Sequence, residues 1–206
     1  MDDTTYRMTR ASLHGVAELL IAGPQYRIFE TIRLRAALGG FGGVRLAVSA
    51  VGTELVGPGG RVPLEGTYGA IASALDLVPG PPEGVYADGS GARLTDEVRV
   101  DRDAASLIGD WFGVGDAALR RLAPDTTPVL WPEHFDLSAT VDDVNYGVSP
   151  GDGQHPGPYA YVGPWTARTG AFWNASFGAL RPREEVATVA SLLSFFEEGR
   201  RNAAAG

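Results

Sequence analysis

Cysteine and lysine are both absent from this chain of 206 residues. Without cysteine the protein has no disulfide, no thiolate metal ligand and no cysteine nucleophile. The 17 basic residues, all arginine, face 25 acidic ones, so the formal net charge is −8. This charge disfavours nonspecific binding to nucleic acid or to an anionic membrane surface, because both depend on basic patches. We therefore predict that neither nucleic acid nor a membrane is a partner.

Long apolar runs are also missing at the N-terminus. The chain opens with Asp2 and Asp3 rather than a basic cluster, and its first apolar run, Val16 to Ala22, is interrupted by Glu18. Such a run is too short to span a membrane and lacks the flanks of a secretion signal. We therefore expect a cytoplasmic protein.

Apolar periodicity and turn residues predict a mixed α+β fold. A helix over 9–22 should end at Gly23-Pro24, and further helices should cover 67–77 and 102–122 and start at Pro182. Predicted strands cover 27–35, 44–49, 54–56, 61–64, 97–100 and 134–142, and Gly39–Gly43 is predicted to be a flexible turn. The expected architecture is a single domain, residues 1–206. It consists mainly of an antiparallel β-sheet that could be strongly curved. About four helices pack against the sheet, among them one at the N-terminus and one at the C-terminus.

Aromatic and acidic residues are concentrated in residues 131–177. This stretch holds about half of the aromatic residues, two of the three histidines, and five acidic residues against one arginine. Aromatic faces beside carboxylates suit a cation, or a polar ligand with an apolar body. The predicted ligand-binding residues are Trp131, Asn145, Tyr146, Tyr159, Tyr161 and Trp173. The same composition is also typical of a hydrophobic core rich in aromatic residues, with solvent-exposed aspartate and glutamate side chains in the turns.

Strand parity indicates two catalytic candidates, His134 and Asp136. If residues 134–142 are extended, these two side chains share one face and lie roughly 6.5–7 Å apart along the strand. The carboxylate could then orient an imidazole that acts as general base. The same alternation is typical of an ordinary half-exposed strand, so both interpretations stay open.

Two further motifs contain residue types that can carry chemistry. His134, Asp136 and His155 would form a nitrogen and oxygen ligand set for a divalent metal, although their spacing matches no established metal motif. The segment Gly147-Val148-Ser149-Pro150-Gly151 matches G-x-S-x-G, but Pro150 has no N–H to donate to an oxyanion. We therefore reject Ser149 as the nucleophile of an α/β-hydrolase.

Four segments of the C-terminal part resemble sequences of other proteins. PVLWPEHFDL, VNYGVSPGD, PYAYVGPW and FWNASFGALRP are similar to segments of actinobacterial hypothetical proteins of comparable length. The abundance of alanine, glycine and proline, with arginine as the only basic residue, agrees with a GC-rich, actinobacterial source. The resemblance covers the first half of the chain poorly and implies no activity.

Three functions follow as expectations. The leading one is a small-molecule-binding protein whose pocket is built from residues 131–177. The second is an enzyme that uses His134 and Asp136 for acid–base chemistry or for a metal site. The third is a homo-oligomer, such as a homodimer, that pairs through an exposed aromatic patch containing Trp165 and Trp173.

Overall fold

A computed structural model describes residues 2–205, and the chain divides into two compact units. The first takes in the chain up to Asp110 together with Leu130–Phe135, and the second takes in Trp111–Val129 and the chain from Asp136 onwards. Both contain helices and antiparallel strands, so the predicted α+β class is confirmed. That the whole chain folds as one domain stays a prediction. None of the helices within the described part is long and apolar enough to cross a membrane.

The first unit begins with a helical run and continues into a strand meander. The run consists of α1 (Asp3–Gly15), a π-helical segment (Val16–Ala22) and α2 (Gly23–Phe29). The meander comprises β1 (Leu34–Ala37), β2 (Gly40–Gly43), β3 (Ser49–Val51), β4 (Glu54–Gly57) and β5 (Gly60–Pro63), each strand antiparallel to the next. A small sheet of β6 (Glu65–Thr67) and β7 (Glu97–Arg99) flanks α3 (Tyr68–Ser73). Leu130 of β8 (Val129–Trp131) pairs with Leu34.

The second unit is a four-stranded antiparallel meander with two helical segments. Its strands are β9 (Asp136–Val141), β10 (Val144–Ser149), β11 (Tyr159–Pro164) and β12 (Ala179–Pro182). A short 3-10 turn (Arg183–Glu185) precedes α5 (Val189–Ala204), and the later part of α4 (Arg102–Leu122) also belongs to this unit. Helix α4 has the predicted limits and is unbroken at Gly113 and Gly115.

The prediction that Gly23-Pro24 ends the first helix is wrong. A proline inside a helix leaves a carbonyl without its N–H partner. In the π-helical segment an N–H bonds to the carbonyl five residues earlier, as the N–H of Gly23 does to Glu18. Pro24 has no N–H, so the carbonyl five residues before it, that of Leu19, lacks a helical partner. The N–H of Gly80 bonds to this oxygen at 3.0 Å, so the chain stays helical to Phe29. The predicted strand over 27–35 shrinks to β1, and Glu30 ends α2 in a left-handed conformation with φ of 55°.

Glycines in the first unit mark close approaches that the sequence pattern does not reveal. Gly40–Gly43 form strand β2 rather than a flexible turn. A Cβ at Gly40 would lie 2.0 Å from the carbonyl oxygen of Ala50. A Cβ at Gly15 would lie 2.3 Å from the hydroxyl of Tyr68, which donates a hydrogen bond to the carbonyl of Ser12 at 3.0 Å. The predicted strand over 44–49 is wrong except at its last residue, because pairing with β2 begins only at Ser49.

The C-terminal helix begins later than Pro182. Thr188 is its N-cap and forms a reciprocal capping box with Ser191, which satisfies N–H groups at the helix start. Pro182 instead ends β12. The buried face of α5 is therefore formed by Leu192, Phe195, Phe196, Gly199 and Ala203. A proline followed by acidic residues is also compatible with the start of the short 3-10 turn Arg183–Glu185. The same local signal therefore led to a predicted helix start that is too early.

His14 at the end of α1 is half-buried and makes its contacts within the first unit. Its Nε2 lies 2.7 Å from the carbonyl oxygen of Pro132, and its ring stacks on Phe135 at 5.4 Å. Burial lowers the pKa of His14 below 6.5 and outweighs the Pro132 contact and the charge of Glu18, which raise it. The folded protein therefore holds this ring in its neutral form at pH 7.

We predict that the His14 contribution to stability is lost on acidification. Because the pKa of His14 is depressed in the folded state, the unfolded chain binds more protons below about pH 6.5. The free energy of unfolding should therefore fall as the pH drops from 7.5 through 6.5. Urea titrations at several pH values will show this fall to be smaller in His14→Gln, which retains an N–H donor for Pro132. Equal slopes in both proteins would contradict the prediction.

Candidate functional site

The segment before β9 is a turn and not an extended strand. The N–H of Phe135 donates to the carbonyl of Trp131 at 2.8 Å, and Phe135 has a φ of 53°. His134 is exposed beside Glu133, with Nε2 3.2 Å from Oε1, whereas Asp136 is the first, buried residue of β9. The prediction that residues 134–142 are extended is therefore wrong at the start of this range. Because His134 lies in the turn and only Asp136 lies in the strand, strand alternation does not place the two side chains on one face.

The other end of the predicted stretch is also a turn. Asp142 and Asp143 have φ of 51° and 59° and link β9 to β10. Two consecutive residues with positive φ are typical of a type I′ hairpin turn. Asp142 therefore belongs to the turn and not to the alternating residues of the strand. Its carboxylate lies 2.9 Å from Nη2 of Arg200.

One face of the meander in the second unit is hydrophobic core. It carries Leu137, Ala139, Tyr146, Val148, Ala160 and Val162, all buried. Helix α5 covers this face closely, since a Cβ at Gly199 would lie 2.7 Å from Val162. Tyr146 is fully buried with its ring 5.8 Å from that of Phe196, and burial raises its pKa to about 12. Tyr146, a predicted ligand-binding residue, is therefore part of the core.

The opposite face carries the polar side chains. In register, Gly147 of β10 lies between Ser138 of β9 and Tyr161 of β11, and Ser149 lies opposite Tyr159. Two residues along β10, Asn145 shares this face because side chains alternate. The Asn145 amide oxygen accepts the Thr140 hydroxyl at 2.7 Å and the Trp165 indole N–H at 3.4 Å.

Tyr161 is the half-buried centre of this polar face. Its hydroxyl donates a short hydrogen bond to Oδ2 of Asp136. Burial, followed by the negative charge of Asp136, raises the pKa of Tyr161 well above its usual value, so the phenol stays neutral. Its ring lies 6.3 Å from Tyr159 and 6.2 Å from Phe177, the latter edge to face. Tyr161 thereby fixes the positions of two other aromatic rings.

Tyr159 connects the strand to the loop that follows β10. Its hydroxyl donates to Oδ2 of Asp152 at 2.7 Å, and burial followed by this interaction raises the pKa of Tyr159. The second carboxylate oxygen of Asp152 accepts the backbone N–H groups of Gln154 and His155, both at 2.7 Å. An aspartate that accepts N–H groups two and three residues ahead is typical of a tight turn. This turn places the His155 ring 5.4 Å from that of Tyr159.

An open cleft of about 260 Å³ lies over Tyr159. Its walls come from the loop after β10 and from the loop before β12. The lining residues are Asp152, Gln154, His155, Tyr159, Asn174, Ala175, Ser176, Phe177 and Leu180. Two of them, Tyr159 and Phe177, are aromatic residues, His155 adds an imidazole ring, and the one formally charged side chain is the Asp152 carboxylate. Asn174 supports the second loop by donating to the carbonyl of Leu180 at 3.1 Å and accepting its N–H at 2.8 Å.

The structure brings together only part of the predicted set. Tyr159 and Tyr161 share a face, with Asn145 further along it. Trp173 is half-buried against Phe172, with ring centroids 4.9 Å apart, and does not line the cleft. Trp131 belongs to the first unit, where the Arg33 guanidinium lies 5.9 Å from its ring. Sequence reasoning missed Asp152, Gln154 and Phe177 as lining residues, although the sequence Asp152-Gly153-Gln154-His155 is a recognisable turn.

The predicted metal ligands do not form a metal site. Within residues 2–205, no group of three histidine, aspartate or glutamate side chains is placed to hold a metal ion. His134 is exposed in the turn after β8, Asp136 is bonded to Tyr161, and His155 lies in the loop after β10. His134, Asp136 and His155 are therefore not a ligand set.

Comparison with known proteins does not assign this chain to a family. The resemblance of the C-terminal segments to actinobacterial hypothetical proteins stays a prediction, since no protein-family model, curated protein or solved structure matches the chain.

Proposed function

We propose that the second unit binds a small organic cation with an apolar body in the cleft over Tyr159. The observation that carries this proposal is the composition of the lining, in which the rings of Tyr159 and Phe177 accompany one carboxylate and no arginine. The function expected from the sequence, binding of a small molecule, is kept. The residues proposed to bind the ligand are now Asp152 and Tyr159 instead of His134 and Asp136.

The electrostatics of the cleft favour a positive ligand. Asp152 accepts two backbone N–H groups and the Tyr159 hydroxyl, and these donors stabilise its charged form. A carboxylate held in this form attracts a cation that comes close to it. The rings of Tyr159 and Phe177 add cation–π attraction, which contributes about 0.5–2 kcal/mol depending on desolvation.

The aromatic walls are held in place before a ligand arrives. Tyr161 lies beneath the cleft, bonded to Asp136, and contacts the rings of both Tyr159 and Phe177. Rings that are already ordered lose little side-chain entropy on binding, which favours affinity. Phe177 remains 43% exposed, as expected for a wall that a ligand would cover.

Choline and its neutral isostere 3,3-dimethylbutan-1-ol provide the test. We expect choline to bind about tenfold more tightly than the alcohol, which corresponds to about 1.4 kcal/mol of charge-dependent attraction. Titration followed by NMR should localise choline shifts to residues 152–159 and 174–180. Asp152→Asn and Phe177→Ala should each weaken binding, whereas Glu197→Gln, which removes an exposed charge from α5, should not.

Two results would reject this function. One is equal affinity for choline and the alcohol, which would show that charge is not recognised. The other is choline binding that is unchanged in both Asp152→Asn and Phe177→Ala. The homodimer stays a separate prediction, to be checked by sedimentation of the Trp165→Ala variant, because Trp165 is 68% exposed.

A further inference from the structure

A buried carboxylate in the first unit is not explained by the function proposed above. Glu18 lies in the π-helical segment Val16–Ala22 and is only 5% exposed. Segments of π-helix are rare and occur frequently at functional sites. A buried carboxylate is costly to desolvate unless it is paired or well hydrogen-bonded, so its environment indicates its role.

The loop over residues 88–91 lies directly on this carboxylate. Oε2 of Glu18 accepts the Ser90 N–H at 2.9 Å and also a short hydrogen bond from the Ser90 hydroxyl. A Cβ at Gly89 would lie 1.9 Å from Oε1, so only glycine permits this approach. These two donors from Ser90 satisfy Oε2 of Glu18 inside the fold.

No cationic side chain neutralises Glu18. None of the ion pairs within residues 2–205 includes it. His14 lies one helical turn earlier, but burial lowers its pKa and keeps the ring neutral at pH 7. A buried carboxylate without a counter-ion is complementary to a positively charged group from outside the chain.

A second polar group lies beside Glu18. The hydroxyl of Tyr86 is enclosed there, within hydrogen-bonding reach of the Glu18 carboxylate. Burial, then the charge of Glu18 and this contact, raise the pKa of the phenol. When the hydroxyl hydrogen is directed at Glu18, the Tyr86 oxygen keeps a lone pair that accepts a hydrogen bond from another group.

Both groups line an open cleft of about 480 Å³. Its other walls include Pro81, Pro82 and two exposed acidic residues, Glu83 and Asp88, and the lining contains no arginine or histidine. The cleft therefore offers the buried Glu18 carboxylate, a phenol oxygen, flat apolar surfaces and two further negative charges to one ligand.

We propose that this cleft binds the guanidinium group of a small molecule through Glu18 and Tyr86. A guanidinium has several N–H donors in one plane, so it can donate to the Glu18 carboxylate and to the Tyr86 oxygen together. It is more weakly hydrated than an ammonium and its faces stack on flat surfaces such as the Tyr86 ring and the prolines. An alkylammonium would make the charge contact but would not span both acceptors as well.

Butylguanidine, butylammonium and N-butylurea test this proposal by calorimetric titration. We expect butylguanidine to bind more tightly than butylammonium, and the neutral urea to bind at least tenfold more weakly than butylguanidine. Glu18→Gln should lower butylguanidine affinity about tenfold or more, because glutamine keeps an acceptor for Ser90 N–H but loses the charge. Glu65→Gln, which removes an exposed charge from β6, is the control and should have no effect.

Tyr86→Phe is the second variant and retains the ring while removing the oxygen. It should weaken butylguanidine several-fold and leave butylammonium almost unchanged. Equal binding of butylguanidine to the parent protein, Glu18→Gln and Tyr86→Phe would overturn the proposal, as would equal binding of the urea. Should Glu18→Gln fail to fold, Tyr86→Phe decides. The choline experiment concerns other residues, so the two proposals can fail separately.

Discussion

Gly23→Ala is expected to lower the free energy of unfolding by about 3 kcal/mol, near the upper end of the cost of overpacking a core. Gly23 has ordinary helical dihedrals, with φ of −63° and ψ of −50°, so the alanine backbone itself is not strained. The added Cβ, however, would lie 1.7 Å from the carbonyl oxygen of Gly80. Backbone cannot rotate away as a side chain can, so the segment around Gly80 must move.

Moving that segment breaks several contacts at once. The Gly80 N–H leaves the Leu19 carbonyl, which Pro24 has already deprived of its helical partner. The Arg27 guanidinium also loses the carbonyls of Val78 and Pro81. Because Pro81 lines the cleft beside Glu18, the same variant should weaken butylguanidine binding.

Gly113→Ala is the matched control, because Gly113 is also a helical glycine. A Cβ at Gly113 would have no atom within 4 Å, so alanine should stabilise α4 by up to about 1 kcal/mol. Urea denaturation of the two variants beside the parent protein measures both effects. A Gly23→Ala protein as stable as Gly113→Ala would refute the tight approach of Gly80.

Gly147→Ala should destabilise the second unit by about 2–3 kcal/mol and also weaken choline binding. A Cβ at Gly147 would lie 2.5 Å from Cζ and the hydroxyl oxygen of Tyr161. The ring would have to leave its place, which removes its hydrogen bond to Asp136 inside a buried region. Losing a donor to a buried carboxylate adds to the cost of the displaced ring.

A double-mutant cycle separates this cause from a general effect of alanine in the strand. In a Tyr161→Leu background the ring is absent, so Gly147→Ala should cost much less than it does in the parent protein. The coupling energy between the two positions should therefore be at least about 1 kcal/mol. Additive effects of the two substitutions would show that the Tyr161 ring does not depend on Gly147.

The elements that could be predicted from sequence are those that carry their signal locally. Helix α4 has its full apolar stripe, and the hairpin of β4 and β5 is marked by Gly57-Pro58-Gly59-Gly60 between two apolar segments. Tyr159 and Tyr161 are two residues apart in one strand, so their common face also follows from alternation alone. These features need no knowledge of distant residues.

The features that could not be predicted depend on contacts between distant segments. Helix α2 continues past Pro24 because Gly80, more than fifty residues later, bonds to the Leu19 carbonyl. Phe135 adopts a left-handed conformation while its ring packs against His14 and Phe41, at 5.4 and 5.2 Å. That single residue breaks the alternation on which the pairing of His134 with Asp136 depended. Local patterns cannot reveal a tertiary contact that outweighs them.

The enclosed phenols make both units sensitive to alkali. Five of the seven tyrosines, namely Tyr68, Tyr86, Tyr146, Tyr159 and Tyr161, have a raised pKa, with burial as the first cause. In the unfolded chain such groups ionise near pH 10. Each one therefore stabilises the fold below that pH, and the stabilisation is lost as the pH rises towards the folded-state pKa. Base should consequently open this protein through its tyrosines, with phenolate formation and unfolding coupled in one transition.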